Sequence, residues 1–355
     1  MAINRDDFDA PVVDYSFSDV EDVSSLIDQM ANAGGFSATK LAHARDVLTE
    51  AIQRTGQDGV LNWLSFPACL CATGTRGFFV EAIKRKAYNV IITTCGTLDH
   101  DIARTYQAYY HGAFELDDVE LGEQGLNRLG NVIVPNECYG EILEQSVLPW
   151  LQQIEDERKA KNPENPWRGF GSVELCWAFG DRIKDERSLL YWAAKHRIPI
   201  IIPGLSDGSI GAQLFMHRQR SPDFMIDFLA DEQILSELTC TCVESHVIMF
   251  GGCISNHNLI WGRPLRAIFA RYNNKKLAFN YEHLDATDEI IIEQDLITKT
   301  KKVKDFKDYL SFLKSNKIIV NHKEREEIIL KKINSYSQSK QYKKNLNSKL
   351  LEEVV

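Results

Sequence analysis

One construction occurs three times in this chain and restricts its fold to a narrow class: an apolar strand, a turn containing glycine, and then an amphipathic helix. The three copies are NVIITTCGTLDHDIARTY (89–106), IPIIIPGLSDGSIGAQLF (198–215) and HVIMFGGCISNHNLIW (246–261). Helical patterns, RGFFVEAIKRK and SLLYWAAKHR, precede the first two strands. Apolar strands that alternate with helices predict a parallel sheet buried on both faces. We therefore expect an α/β fold, a Rossmann-like parallel sheet with helices on both faces.

The regions on either side of this construction differ from it. The first 50 residues predict two helices, one stopped by Gly34 and Gly35 and one that begins at Ser37 as N-cap and stops at Gly56. All 21 glycines and all six tryptophans lie at or before Gly262, and Lys, Asn and Ile dominate afterwards. The sequence thus predicts three parts: an N-terminal helical extension (1–60), a Rossmann-like domain (61–262) and a divergent Lys/Asn/Ile-rich C-terminal segment (263–355).

Charge and hydropathy narrow the classes of partner. The net charge of −9 argues against nucleic acid as the main ligand, because phosphate binding needs a basic surface, and it suits a cationic ligand instead. No apolar run approaches the roughly 20 residues of a membrane span, so we expect no membrane partner. The N-terminal MAINRDDFDAPVVDYSF has neither the basic nor the apolar region of a signal peptide, which predicts a cytoplasmic protein.

The eight cysteines are interpreted as structural thiols, with no metal site. Most of them lie in apolar surroundings, as small buried thiols do. The pairs Cys69/Cys71 and Cys240/Cys242 have a single residue between them. Zinc ligands usually have two to four residues between them, and no matching His/Cys partner is present.

Polar residues follow the predicted strands at the edge where open parallel sheets bind ligands. Asp99, His100 and Asp101 stand at the start of a helix. They are open to two interpretations, helix capping or the binding of a polyamine or ribose. Asp207 occupies the equivalent loop after the second strand, where an acid that binds ribose hydroxyls belongs. His257 follows the third strand and is either a general base or a loop histidine.

The G-x-G-x-x-G fingerprint of dinucleotide-binding proteins is absent. A nucleotide site would therefore need other glycine turns, such as CATGTRG or FGGC.

Four segments together closely resemble deoxyhypusine synthase, most of all its archaeal forms: IITTCGTLDHDIAR, ELGEQGLNRLGNVIVPNECYG, KHRIPIIIPGLSDGSIGAQLF and VIMFGGCISNHNLIW. The resemblance covers about residues 15–261. It implies a homotetramer with active sites at subunit interfaces and a reaction in which NAD oxidises spermidine. The aminobutyl group then passes through an imine on an enzyme lysine to a lysine of the hypusine-bearing translation factor precursor.

The same resemblance assigns site residues by matching motif. His257 would be catalytic and, with Asp99 and His100, would bind spermidine. The residues that would bind NAD are Ala68, Cys69, Leu70, Cys71, Ala72, Thr94, Cys95, Gly96, His100, Asp207 and Gly252.

The sequence departs from the family pattern in two places. Ala212 stands where some members have a spermidine-binding aspartate. The segment that carries the imine-forming lysine is reduced to GRPLRAIFARY, with Tyr272 where the lysine should be and Lys275 and Lys276 nearby.

The departures leave three functions open. The first is a synthase that transfers the aminobutyl group. The second is a catalytically dead paralogue or truncated member that acts as the NAD-binding regulatory subunit of an intact synthase. The third possibility is an enzyme of altered chemistry, which forms homospermidine or only oxidises a polyamine. We expect the chain to form a homo- or hetero-oligomer with synthase subunits.

Overall fold

The structure is a computed structural model, and it describes residues 10–57, 59–161, 163, 169–242, 244–260, 290–293 and 300–303. Its helices are α1 (Val23–Asn32), α2 (Ala38–Gln53), α3 (Thr75–Lys84), α4 (Gly96–Tyr106), α5 (Asp118–Glu123), α6 (Gly140–Lys161), α7 (Ser172–Arg182), α8 (Leu189–His196), α9 (Ser209–Arg220) and α10 (Phe228–Thr241). Its strands are β1 (Val60–Phe66), β2 (Val90–Thr93), β3 (Tyr110–His111), β4 (Leu126–Leu129), β5 (Val132–Pro135), β6 (Ile200–Ile201), β7 (Glu244–Met249), β8 (Ile290–Glu293) and β9 (Thr300–Val303). Residues 253–260 are also helical.

The main sheet has four strands in the order β6-β2-β1-β7, and every pair is parallel. Trp63 of β1 lies opposite Val90 of β2 on one side and Val247 of β7 on the other. Along the chain these strands therefore follow the order 3-2-1-4, as in Rossmann folds, and the order reverses between β1 and β7. The predicted α/β class and its parallel sheet are confirmed.

Strands β1, β2 and β6 are buried on both faces of the sheet, whereas the edge strand β7 is only partly buried. Side chains alternate between the two faces along each strand. Ile91 of β2 faces one apolar cluster with Phe66, and Val90 and Ile92 face a second cluster with Trp63. The rings of Phe66 and Phe79 of α3 stack with centroids 3.9 Å apart in the first cluster. Helices cover both clusters, as the sequence predicts.

The central strand β1 contains two polar side chains inside the sheet. Asn62 is fully buried, and its Nδ2 donates to the carbonyl oxygens of Ala51 (2.7 Å) and Ala87 (3.1 Å). Ser65 donates from Oγ to Oδ1 of Asn256 at 2.5 Å. Both residues interrupt the apolar pattern of VLNWLSF, so the sequence did not single out this strand.

Two buried aspartates bind the N-termini of helices other than their own. Asp101 of α4 accepts from the backbone N–H groups of Leu189 and Leu190, each at 3.1 Å, at the start of α8. Asp231 of α10 accepts from the N–H of Ser172 (2.7 Å) and of Val173 (3.2 Å) at the start of α7. The first four N–H groups of a helix have no partner within it, and each aspartate satisfies two of them.

The remaining parts lie outside the main sheet. The predicted N-terminal helices are present as α1 and α2. Asp22 caps α1 through Ser25 N, whereas Ser37 stands at the N-cap of α2 without a side-chain hydrogen bond. Strands β3, β5 and β4 form a small antiparallel sheet, and β8 pairs with β9. In the described ranges, no helix combines the length and apolar character that crossing a membrane requires. The predicted domain boundaries remain a prediction.

Candidate functional site

Loops that follow the four parallel strands meet at one edge of the sheet. Ala68, after β1, donates its backbone N–H to Oγ1 of Thr94, after β2, at 2.9 Å. A Cβ placed on Gly96 would lie 3.0 Å from the Cβ of Ala68, and one on Gly251, after β7, would lie 3.1 Å from Pro67. The structure thus brings the predicted turns Ala68–Ala72 and Thr94–Gly96 into contact, beside the loop after β7.

Asp99 is fully buried below this edge and holds the start of α9. Its Oδ2 accepts from the backbone N–H of Ser209 at 2.8 Å and from the hydroxyl of Tyr139 at 2.6 Å. Its Oδ1 accepts from the N–H of Ile210 at 2.8 Å. Burial raises the pKa of Asp99, and these hydrogen bonds oppose that shift. Helix capping is therefore present, but the capped helix is α9 and not α4.

The close contact between α4 and the loop before α9 depends on glycine. A Cβ on Gly208 would lie 2.7 Å from Oδ2 of Asp99 and 2.9 Å from Sγ of Cys95. The thiol of Cys95 donates to the carbonyl oxygen of Leu205 at 3.0 Å, and burial raises its pKa to about 12. Cys95 is therefore a neutral thiol near neutral pH and supplies packing, not a thiolate.

His100 is half-buried between two tyrosines. Its Nδ1 lies 3.0 Å from the hydroxyl of Tyr109, and its ring centroid is 5.4 Å from that of Tyr139. Burial, assisted by the charge of Arg104, lowers the pKa of His100 to about 4. The imidazole is therefore neutral near pH 7, and one ring nitrogen can accept a hydrogen bond.

Arg104 fixes the turn after β1. Its Nη1 donates to the carbonyl oxygen of Cys71 at 2.7 Å and to that of Thr73 at 2.6 Å. The sequence analysis did not identify this residue, although it lies one helical turn after His100. Its position on the face of α4 that carries His100 and Asp101 was the available signal.

Asp207 and Gly252 remain accessible at the edge. Asp207 is exposed in the loop after β6, and its charge contributes to the raised pKa values of Asp99 and Cys95. Gly252 is exposed, and a Cβ placed on it would meet no atom within 4 Å. The next residue, Cys253, has a φ of 82°. This left-handed conformation is unusual for a residue other than glycine, and such conformations cluster at functional sites.

His257 is exposed on the helical segment 253–260 and lines a cleft of about 460 Å³. A Cβ on Gly204 would lie 3.7 Å from Cδ1 of Ile254, so this segment reaches the loop that carries Asp207. The cleft residues come from the end of β6, the start of α10 and this segment: Ile201, Ile202, Pro203, Phe228, Asp231, Glu232, Ile254, His257 and Asn258.

The structure places the predicted site residues in two adjoining groups. One group surrounds the turns after β1 and β2 and includes Asp99 and His100. The other is the cleft of His257, which adjoins the loop after β6. The sequence analysis missed Tyr109, Tyr139, Glu232 and Asn258. Tyr139 stands in the quoted NECYG motif, whereas Glu232 follows the pattern of an ordinary solvent-facing helix residue. Tyr272, Lys275 and Lys276 lie outside the described residues.

Comparison with protein families gives two matches. The model described as deoxyhypusine synthase matches residues 25–279. A model described as glycyl-tRNA synthetase beta subunit matches residues 230–355, a smaller share of the chain.

Comparison with individual proteins gives archaeal relatives. A protein named probable deoxyhypusine synthase from Picrophilus torridus is 44% identical over 256 residues, which is 72% of this chain and 78% of the relative. Proteins of the same name from Thermoplasma acidophilum and Ignicoccus hospitalis are 41% and 37% identical, covering 72% and 73% of this chain and 78% of each relative.

Among solved structures, one described as a candidate deoxyhypusine synthase from Entamoeba histolytica has a TM-score of 0.51 at 20% identity. The match covers 68% of this chain and 79% of that chain. At this identity the likeness concerns the fold alone.

Proposed function

Because the chain belongs to the deoxyhypusine synthase family, we propose that it binds NAD and spermidine and transfers the aminobutyl group of spermidine to a lysine of the hypusine-bearing translation factor precursor. The observation that carries this proposal is the convergence of the turns after β1 and β2, Asp207 and the cleft of His257 at one edge of a sheet with the strand order 3-2-1-4. Dinucleotides bind such sheets where the strand order reverses.

The residues at this edge fit NAD. The positions of Gly74 and Gly252 leave open space where a side chain would stand, so a dinucleotide backbone can approach both loops. Gly74 directly precedes α3, whose N-terminus suits a pyrophosphate. In this proposal Asp207 accepts hydrogen bonds from ribose hydroxyls, and the turns Ala68–Ala72 and Thr94–Gly96 line the cofactor. Bound NAD supplies the hydride acceptor for oxidation of the amine.

Three titratable residues are assigned to the amine substrate in this proposal. His257, exposed at the cleft, accepts a proton from the amine as its carbon is oxidised. Neutral His100 accepts a hydrogen bond from an ammonium group. Asp99 is fully buried, and its three hydrogen bonds fix the start of α9. Its contact with the amine, which the family resemblance implies, stays a prediction.

A second candidate function is favoured by one feature of the sequence. Tyr272 stands where the family resemblance places the imine-forming lysine. Under this alternative the chain is an NAD-binding regulatory subunit that activates an intact synthase.

A borohydride trap distinguishes the two candidates. The full chain is incubated with NAD and radiolabelled spermidine, reduced with borohydride, and digested for peptide mass spectrometry. Label on Lys275, Lys276 or another lysine supports the synthase. NAD binding without label, together with faster turnover when an intact archaeal synthase is added, supports the regulatory subunit.

The NAD site itself is tested by calorimetry with two matched variants. Asp207→Asn removes the carboxylate proposed to bind ribose, and we expect NAD to bind about tenfold more weakly. Asp223→Asn makes the same change at an exposed position just beyond the far end of α9 and should leave the affinity unchanged. Equal NAD affinity of both variants would refute the role of Asp207.

A further inference from the structure

The cleft beside His257 has the composition of a site for an aliphatic amine. Its floor includes the buried Ile201 and Ile202, and its rim includes the half-exposed side chains of Phe228 and Ile254. Its volume of about 460 Å³ lies in the range of small-molecule pockets. Apolar walls of this kind suit a chain of methylene groups.

Two polar side chains of the cleft, Glu232 and Asn258, carry acceptor oxygens that are incompletely used. Nδ2 of Asn258 donates to Oε1 of Glu232 at 3.0 Å, which orients the amide. Oδ1 of Asn258 is then buried and has no hydrogen-bond partner among the described residues. Among the described residues, no group donates a hydrogen bond to Oε2, the other carboxylate oxygen of Glu232. A buried acceptor without a donor costs free energy, so a ligand that donates hydrogen bonds would stabilise this arrangement.

The neighbouring acid, Asp231, has a different role. Its two oxygens accept from Ser172 N and Val173 N at the start of α7. The carboxylate of Glu232 is therefore the one in this cleft that is not committed to a helix N-terminus.

We propose that Glu232 and the Oδ1 of Asn258 bind an ammonium group of the amine substrate, with its methylene chain against Ile201, Ile202 and Ile254. Glu232 thereby selects a charged amine over a neutral alcohol of the same length. The identity of this amine as spermidine rests on the proposed function, whereas the ammonium site follows from the cleft itself. The amine lies beside His257, the residue proposed to accept its proton.

Calorimetry of the full chain with saturating NAD tests this assignment. The probes are spermidine, 1,4-diaminobutane and the neutral butane-1,4-diol. The parent chain should bind both amines and bind the diol at least about tenfold more weakly. Glu232→Gln should weaken both amines by about tenfold or more, and the exposed Glu144→Gln, which changes the net charge equally, should bind as the parent does.

A second variant keeps the test decisive if Glu232→Gln fails to fold. Ile254→Trp fills the cleft from its exposed rim and should abolish amine binding while NAD binding is retained. Amine binding at parental affinity by Glu232→Gln, or by Ile254→Trp if the former does not fold, overturns the assignment, as does a parent chain that binds neither amine. If Glu232→Gln weakens amine binding as expected but the borohydride trap gives no label, the ammonium site stands. Only the proposed transferase function then fails.

Discussion

The carboxylate of Asp99 on α4 accepts a hydrogen bond from the backbone N–H of Ser209, the first residue of α9, at a distance of 2.8 Å. Ser209 lies 110 positions further along the chain. The contact fixes α9, and with it the loop of Asp207, against the helix that carries His100.

Replacement of Asp99 by asparagine should destabilise the chain. The amide group would place donor hydrogens against Ser209 N, Ile210 N or the hydroxyl of Tyr139, which all donate to the present carboxylate. We expect a loss of about 1–3 kcal/mol in the free energy of unfolding, measured by urea denaturation. Asp223→Asn, at an exposed site, serves as the control. An unchanged denaturation midpoint for Asp99→Asn would show that the cap contributes nothing.

Asp231 should make stability depend on pH between about 4 and 6. Burial raises its pKa from an ordinary value of 3.8 to about 6. In this range the folded chain therefore binds a proton that the unfolded chain has released, and the free energy of unfolding falls as the pH rises. The free energy of unfolding should fall by up to about 1 kcal/mol for each pH unit in this range. The stabilisation is present in full below pH 3.8, the pKa in the unfolded chain, and is lost as the pH rises through about 6, the pKa in the folded chain.

The comparison of the parent with Asp231→Asn isolates this effect. Urea denaturation of both proteins at pH 4, 5 and 6 gives two curves of stability against pH. The parent should lose more stability than the variant between pH 4 and pH 6. Parallel curves would mean that Asp231 has the same pKa in the folded and unfolded chains.

Two glycines within helices, one in the first turn of α3 and one near the end of α7, should respond oppositely to alanine. A Cβ on Gly180 of α7 would lie 2.1 Å from the carbonyl oxygen of Leu190 of α8, whereas one on Gly77 of α3 would meet nothing within 4 Å. We expect Gly180→Ala to cost about 1–3 kcal/mol through overpacking and Gly77→Ala to gain about 0.5–1 kcal/mol through helix propensity. Thermal denaturation of both variants measures the difference, and a stabilising Gly180→Ala would contradict the α7–α8 contact.

Cysteine labelling tests two features of the sheet edge: which cysteine thiols are buried there, and whether NAD binds beside Cys69. Cys69 and Cys253 are exposed, while Cys71 and Cys95 are buried with raised pKa values. In the native protein, iodoacetamide should therefore modify Cys69 and Cys253 well before the other two, as read by peptide mass spectrometry. Saturating NAD should slow the labelling of Cys69 by about tenfold, because the turn Ala68–Ala72 is proposed to line the cofactor. Unchanged labelling of Cys69 with NAD bound would place the cofactor elsewhere.

The sequence predicted those parts of the fold in which one local pattern decides the structure. Strands β2 and β6 lie in continuous apolar runs, so their burial is readable from the letters alone. Strand β7 begins with Glu244, Ser245 and His246 and is only partly buried, so only its last half follows the apolar pattern. Strand β1 was missed because Asn62 and Ser65 look unsuited to a core. Their partners, Ala51, Ala87 and Asn256, are separated from them by up to 191 positions.

In the candidate site, too, features set by neighbouring residues in the sequence were predicted, and features set by residues far apart in the sequence were not. The turns after β1 and β2 were predicted and do contact each other. The role of Asp99 as a cap of α9 was not predictable, because an aspartate near the start of its own helix already has a local explanation. Glu232 gave no signal, since only the packing of the segment 253–260 beside α10 brings it to Asn258 and His257.

Three aspartates cap the N-terminus of a helix other than their own, and this arrangement affects how the chain folds. They are Asp99, Asp101 and Asp231. Helices α7 and α9 each follow a glycine, Gly171 and Gly208, which offers no side-chain oxygen to the first turn. These first turns therefore gain their carboxylate acceptors only when α4 and α10 dock, so local helix formation is coupled to tertiary assembly. The N–H groups of Ser172 and Ser209 should exchange with solvent deuterium as slowly as the core strands, since their opening requires cooperative unfolding and not the fraying that is usual at a helix end.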